Sequence, residues 1–98
     1  MAQAVERIAH PLQILSTDEI GEAVAILKAG APNGWDDRRY RFVEVSLKEP
    51  AKGALADAEA AGRTEDLPRE ARVVLIDRGD RATIEAFVSL TDGKVLSW

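Results

Sequence analysis

The stretch from Ala71 to Trp98, ARVVLIDRGDRATIEAFVSLTDGKVLSW, contains three strand signals in close succession. An apolar, β-branched run comes first, an alternating run follows the turn letters RGDR, and a shorter apolar run closes the stretch. Alternation with a period of two is typical of a strand with one buried face. The stretch therefore predicts an antiparallel meander.

The second turn of the meander is predicted at Thr91-Asp92-Gly93-Lys94. Asp-Gly tolerates the positive φ values of a type I′ turn, so the pair predicts a tight hairpin. The returning strand ends on Trp98, a large aromatic residue that needs cover. Either Trp98 is covered within these residues, or the natural chain continues and these residues are a fragment.

A further strand is predicted upstream by the letters RFVEVSLKEP, a run that Pro50 ends. By alternation, one face of the sheet is expected to carry the apolar residues Val43, Val45, Leu47, Ile84 and Val88. The opposite face is expected to mix charged and aromatic residues, namely Phe42, Glu44, Glu85 and Phe87. This second face is either solvated or half of an interface.

The letters LSTDEIGEAVAILKAGAP predict the clearest helix. With Ser16 as the N-cap, Glu19 falls at N3 and completes a capping box. Leu15 and Ile20 have the spacing of a hydrophobic staple, and Gly30 is a natural C′ residue. The apolar stripe expected to face the sheet consists of Ile20, Ala23, Val24, Leu27 and Ala31.

One amphipathic helix and four antiparallel strands have an obvious packing solution, with the helix laid across one face of a curled sheet. The predicted fold is therefore an α+β roll of the cystatin-like kind, in the order α-β-β-β-β. Between the first two strands, the alanine-rich letters AKGALADAEAAGR fit either a short surface helix or a mobile connection.

Composition indicates one small soluble domain of 98 residues, 46% of them hydrophobic and 31% charged. The net charge of −4 argues against non-specific binding to nucleic acid, because that affinity comes from neutralising phosphates. Cysteine is absent, which excludes disulfides and thiolate sites. Without a signal peptide or a membrane-spanning run, a cytoplasmic location and no membrane partner are expected.

Two motifs have ordinary structural explanations. The single histidine, His10, has no second histidine or cysteine to join it in a metal site, so a structural or solvent-exposed role is favoured. The triplet Arg78-Gly79-Asp80 spells the tripeptide that integrins recognise. Turn chemistry explains it without a partner, with Gly supplying a positive φ and Asp capping locally.

Paired carboxylates occur at Asp36-Asp37, at Glu65-Asp66, and at Asp77 with Asp80. All lie in predicted loops or turns, whereas a catalytic carboxylate needs a pocket that shifts its pKa. The serines lack a nucleophile-elbow context, and no glycine pattern has phosphate-loop spacing. Taken alone, the residues predict no catalytic, cofactor-binding or metal-binding site.

Five segments match a family pattern in order and spacing: His10-Pro11-Leu12, Thr17-Asp18-Glu19-Ile20, Arg41-Phe42, Leu47-Lys48-Glu49-Pro50-Ala51-Lys52 and Arg69-Glu70-Ala71-Arg72-Val73-Val74-Leu75. Together they resemble the N2 domain of copper amine oxidases, from about residue 10 to the end of the chain. The resemblance implies an N-terminal arm at 1–9 and an N2-like domain at 10–98, as a fragment of a longer chain.

The resemblance also implies a cystatin-like fold and the reaction of the parent enzyme. The family oxidatively deaminates primary amines to aldehydes, using copper held by three histidines and a topaquinone made from a tyrosine in Asn-Tyr-Asp/Glu. Those residues lie in another domain, and the only tyrosine here, Tyr40, stands in RYR. No catalytic or copper residue is therefore carried over, and the expected partners are the remaining domains of a homodimeric parent.

The leading hypothesis is a non-catalytic, N-terminal structural domain of a copper amine oxidase, in which Trp98 closes the last strand. The alternative is a free-standing binding or peptidase-inhibitory module, because EAFVSLTDGKVLSW also resembles the hairpin of PepSY-type domains. A small autonomous enzyme is disfavoured because no catalytic constellation is present.

Overall fold

The computed structural model describes residues 11–32 and 34–98. Its elements are α1 (Thr17–Ala29), β1 (Tyr40–Lys48), α2 (Lys52–Ala61), a 3₁₀ turn (Thr64–Asp66), β2 (Glu70–Asp77), β3 (Ala82–Ser89) and β4 (Lys94–Ser97). The strands form one antiparallel sheet in the order β1-β2-β3-β4. The predicted α+β class is confirmed, and the alanine-rich segment is a helix; the cystatin-like label stays a prediction. The predictions for His10 and for the arm at 1–9 lie outside the described residues.

The start of α1 is fixed by the predicted capping box. The Ser16 hydroxyl accepts a hydrogen bond from the backbone N–H of Glu19 at 3.1 Å, and Glu19 Oε1 accepts one from the backbone N–H of Ser16 at 3.0 Å. These bonds satisfy donors that a helix N-terminus otherwise leaves unpaired.

The end of α1 shows why glycine stands at position 30. Gly30 has a φ of −99°, so it is not needed for a left-handed conformation. A Cβ atom added there would lie 2.6 Å from Cγ2 of Val95. Glycine therefore allows β4 to approach the end of the helix closely.

The buried face of α1 is rotated about the helix axis relative to the predicted apolar stripe. Glu19, Ala23 and Leu27 are buried, whereas Ile20 is 37% exposed. The prediction for Ile20 is wrong because Glu19 occupies the position against the sheet and is paired there with Arg69. The predicted stripe counted only apolar residues and therefore missed a buried carboxylate.

A β-bulge in β1 changes which residues face the helix. Phe42 pairs with Leu75 and Glu44 pairs with Val74, so Val43 is the extra residue and is 58% exposed. A bulge shifts the alternation by one residue. Phe42 therefore lies on the helix side of the sheet, and the prediction that Val43 packs under the helix is wrong.

The core lies between α1 and the sheet in two adjoining clusters. The first contains Leu27, Tyr40, Val73, Leu75, Ala86 and Val88. The second contains Leu15, Ala23, Ala71 and Leu90. Trp98 packs against the first cluster and meets Tyr40 edge-on, with ring centroids 5.6 Å apart. The terminal tryptophan is thus partly covered within these residues.

The β3–β4 hairpin is present, but its predicted turn type is wrong. Gly93 has a φ of 67°, whereas Asp92 does not have the positive φ that a type I′ turn requires. The N–H of Gly93 donates to the carbonyl of Ser89, and the N–H of Asp92 donates to the Ser89 hydroxyl, both at 2.9 Å. One glycine in the left-handed region therefore suffices for this longer loop.

Candidate functional site

In two of the predicted pairs, the carboxylates of Asp36, Asp37 and Asp66 have local structural roles. Asp36 accepts a hydrogen bond from the backbone N–H of Arg38 at 2.9 Å, and Asp37 accepts one from the indole N–H of Trp35. Asp66 is exposed and lies 3.6 Å from Nε of Arg63. Each carboxylate thus stabilises its own loop or turn.

The third pair belongs to a cluster at the β2–β3 turn. Asp77 is buried, and its two carboxylate oxygens accept hydrogen bonds from Nε and Nη2 of Arg39 at 2.7 and 3.0 Å. The backbone N–H groups of Gly79 and Asp80 also donate to Asp77, at 2.9 and 3.2 Å. The Arg39 guanidinium, followed by these backbone donors, lowers the pKa of Asp77 to about 2. Asp77 is therefore an ionised structural anchor rather than a proton donor.

The RGD triplet lies at this turn, as predicted, but its conformation differs. Arg81 has a positive φ of 55°, whereas Gly79 does not have a positive φ. At Gly79 an added Cβ would lie 2.9 Å from Nε of Arg39, so a side chain there would displace the guanidinium that binds Asp77. The capping carboxylate is that of Asp77, and the Asp80 carboxylate lies 3.2 Å from Nη2 of Arg39. The triplet is thus part of the turn's own hydrogen-bond network.

Of the ion pairs among the described residues, the most buried joins Arg69 to Glu19. Arg69 Nε lies 2.9 Å from Glu19 Oε2, and Nη2 lies 3.1 Å from Oε1. The side chains are 13% and 1% exposed, respectively. Arg69 also donates to the backbone carbonyl oxygens of Pro11, Gln13 and Ile14, at 3.1, 2.7 and 3.3 Å. One guanidinium therefore holds the entering chain, the start of α1 and the start of β2 together.

A second ion network crosses the face of the sheet opposite α1. Arg72 in β2 donates to Glu85 in β3 and to Glu44 in β1, the latter at 3.2 Å. The hydrogen bond to Glu85 is the largest cause of the raised pKa of Arg72. These side chains cross-link three neighbouring strands.

An aromatic group closes the other end of the core. The Trp35 ring stacks on Tyr40 and Phe42, with centroids 5.0 and 5.1 Å apart. Lys28 Nζ lies 5.6 Å from the Trp35 ring, within cation–π range. This arrangement anchors the loop between α1 and β1 against the core.

The described residues do not contain a donor set for copper. Within residues 11–32 and 34–98, no group of three or more His, Cys, Asp or Glu side chains could hold a metal ion. A site with three histidines does not fit a sequence with one histidine. No step of copper chemistry can therefore be assigned to these residues.

Neither the Arg69–Glu19 pair nor the Arg39–Asp77 pair was predicted from the sequence. Arg69 and Glu19 are fifty positions apart, and the capping box already explained Glu19. For the other pair, the usable signal is register, since Tyr40 lies opposite Asp77 and Arg39 immediately precedes Tyr40. That register is set by the bulge, which the sequence pattern did not reveal.

Comparison with known proteins shows similarity over nearly the whole chain. The AGAO-like N2 domain family matches residues 16–98. The primary amine oxidase of Klebsiella aerogenes is 45% identical over 94 residues, which cover 96% of this chain and 12% of that protein. The primary amine oxidase of Arthrobacter sp. (strain P1) is 40% identical over 97 residues, which cover 99% of this chain and 14% of that protein. Copper amine oxidase 1 of Schizosaccharomyces pombe is 33% identical over 92 residues, which cover 93% of this chain and 12% of that protein.

The fold and these matches define the class of the protein, a small α+β domain of the kind found within amine oxidases. The chain belongs to the AGAO-like N2 domain family and is a copper amine oxidase N2 domain. It spans 12–14% of the length of these relatives. Neither described helix has the length and apolarity that crossing a membrane requires.

Proposed function

We propose that this chain is the non-catalytic, N-terminal structural domain of a copper- and topaquinone-dependent primary amine oxidase. The whole enzyme converts a primary amine to an aldehyde, releasing ammonia and hydrogen peroxide. The family match over residues 16–98 carries the proposal, because the matching relatives are much longer enzymes. Copper and topaquinone then belong to other parts of the parent polypeptide.

The contribution of these residues is mechanical. The ion pairs of Arg69 and Arg39 fix the two ends of the sheet, and the apolar core fixes α1 upon it. Such a domain supplies a rigid body with defined surfaces. The proposed partners are the remaining domains of a homodimeric, cytoplasmic parent, without nucleic acid or membrane. Tyramine oxidation falls within the proposed reaction class, and these residues do not select among amines.

The alternative is a free-standing PepSY-like module with a binding or peptidase-inhibitory role. That alternative depends on the β3–β4 hairpin alone. The family match begins at Ser16, the N-cap of α1, and continues through every strand. The longer match favours the oxidase domain.

The reading frame that follows Trp98 in the source genome tests the proposal. We expect several hundred further codons that include Asn-Tyr-Asp/Glu and a His-x-His pair. Expression of that whole frame with copper should yield an enzyme that releases peroxide when a primary amine is added. A stop codon directly after Trp98 would contradict the proposal and support the free-standing module.

A further inference from the structure

Within residues 11–32 and 34–98, α1 is the helix that packs substantially on the sheet, and it leaves the opposite sheet face without a helix of its own. We define this open face by Glu44, Arg72, Val74, Ile76, Glu85 and Phe87, which alternate with core residues along β1, β2 and β3. The second helix does not cover it, because α2 packs chiefly against the 3₁₀ turn and buries none of its residues. Because of the bulge in β1, Phe42 lies on the helix side of the sheet, whereas Phe87 lies on the open face.

The second half of β2, from Val73 to Ile76, is apolar on both sides. Val73 and Leu75 are fully buried under α1, while Val74 is half-buried and Ile76 is 41% exposed on the open face. Antiparallel strands with one solvated face usually alternate apolar and polar residues, whereas strands covered on both faces have continuous apolar runs. The run from Val73 to Ile76 has the second pattern. The second half of β2 therefore has the sequence of a strand that is covered on both sides, whereas its first half carries Glu70 and Arg72 on the open face.

The charged groups of the open face are already paired with one another. Arg72 binds both Glu85 and Glu44, so neither carboxylate depends on solvent alone. Burying a paired charge costs less than burying an isolated one. One guanidinium and two carboxylates leave the network with a net charge of −1, so a partner that covers this face has at most one charge to balance.

The open face is small for a complex between two separate proteins. Stable complexes of that kind use roughly 20–30 residues on each side. A partner in the same polypeptide needs less contact, because a linker raises its effective concentration into roughly the millimolar range. The bacterial relatives are long enough to contain such a partner, since the matched region covers only 12–14% of their length.

We propose that the open face docks onto another folded domain of the same parent polypeptide, with Val74, Ile76 and Phe87 at the centre of the contact. The partner surface has a matching apolar centre and few unpaired charges. This inference rests on the proposed function, because it requires a parent chain that continues beyond these residues. It adds which of the two sheet faces is the interface.

Thiol labelling tests the inference with a matched pair of positions. The chain has no cysteine, and Ile76 and Ile20 are 41% and 37% exposed on the open face and on α1, respectively. Ile76→Cys and Ile20→Cys are each made in the 98-residue chain and in the full-length parent, and maleimide labelling rates are measured. The unsubstituted parent gives the background. We expect similar rates in the short chain, and about a tenfold or greater slowing of the Ile76→Cys thiol alone in the parent, because labelling there requires the interface to open.

Several outcomes would overturn the inference. Equal labelling of the Ile76→Cys thiol in the short chain and in the parent would show that no domain covers the open face. Equal slowing of the Ile76→Cys and Ile20→Cys thiols in the parent would show that the open face is no more covered than α1. Protection in the short chain that rises with concentration indicates a second copy, and protection that is lost on deleting residues 1–10 indicates that segment. An active oxidase with a freely labelled open face overturns only the docking, whereas a reading frame that stops after Trp98 overturns the proposed function itself.

Discussion

Arg69 joins parts of the chain that lie far apart in sequence, through a pairing that buries both charges. Its guanidinium reaches Glu19 in α1 and the backbone carbonyl oxygens of residues 11, 13 and 14. Taking such charges out of water costs several kcal/mol, which the pairing and the additional hydrogen bonds must offset. A change at this single residue should therefore affect the whole domain.

We expect Arg69→Ala to lower the free energy of unfolding by about 3 kcal/mol or more, because the Glu19 carboxylate stays buried without this cation. Urea denaturation followed by tryptophan fluorescence measures the change. Arg63→Ala is the matched control, since its pairing with Asp66 is exposed and should contribute less than about 1 kcal/mol. Equal losses in the two variants would show that the Arg69 pair does not organise the fold.

Asp77 should make the stability of the domain depend on pH in the acid range. Its pKa is lowered from 3.8 to about 2 in the folded state, so its stabilising contribution is fully present well above pH 3.8 and is lost as the pH falls through about 2. Asp77→Asn should therefore be less stable than the natural chain at neutral pH, and this difference should shrink progressively below pH 4. Urea midpoints across the acid range measure it, with the exposed Asp92→Asn as control. A stability difference that is constant with pH would rule out this role for Asp77.

Sequence reasoning at the residue scale succeeded where the partners are close in sequence. The Ser16 and Glu19 capping box was predictable because its geometry repeats at a fixed spacing of three. Arg69 with Glu19 and Arg39 with Asp77 were not, because their contacts depend on how α1 and the strands are placed in three dimensions.

At the scale of elements, the number and order of the strands could be predicted from their alternation. Which residues of each strand face the helix could not be predicted in every case. The bulge at Val43 shifts the first part of β1 by one residue, and no signal in the letters RFVEVS marks it. Phe42 consequently joins the core, where it stacks with Trp35. The rotation of α1 has a similar cause, since a buried ion pair replaces an apolar contact.

The junction between α1 and β4 makes a prediction about two glycines. Gly30→Ala should lower the free energy of unfolding by about 1–3 kcal/mol, because the new methyl group meets Val95 at 2.6 Å. Gly21→Ala, in the same helix, has no atom within 4 Å of the added Cβ and should instead stabilise by about 0.5–1 kcal/mol. Thermal and urea unfolding of both variants measure these effects. Val95→Ala should rescue Gly30→Ala, and an absence of rescue would contradict the assigned contact.

The second helix is expected to open independently of the sheet. α2 has Ala51 at its N-cap without a side-chain hydrogen bond, and none of its residues is buried. Short helices without such support are marginally stable in water. Amide hydrogens of α2 should therefore exchange faster than those of α1, and Ala51→Ser should slow the exchange in α2 alone. Hydrogen exchange with peptide-level resolution measures both, and equal protection of the two helices would refute the independence of α2.

For the whole molecule, the α+β architecture was predictable because the capped helix and the alternating strands each have one apolar face. Both faces are buried when the helix packs across one side of the sheet. The exposed apolar side of β2 was not predictable, because the continuous run from Val73 to Ile76 has no alternation that assigns its residues to one face or the other.

The central claim is that these residues form a structural domain of an amine oxidase without copper chemistry of their own. The most direct test is to dialyse the 98-residue chain against buffer after exposure to Cu²⁺, measure bound copper, and assay amine-dependent release of hydrogen peroxide. We predict substoichiometric copper and no peroxide, with both present in the full-length parent. Stoichiometric copper retained by the short chain, or peroxide released by it, would contradict the claim.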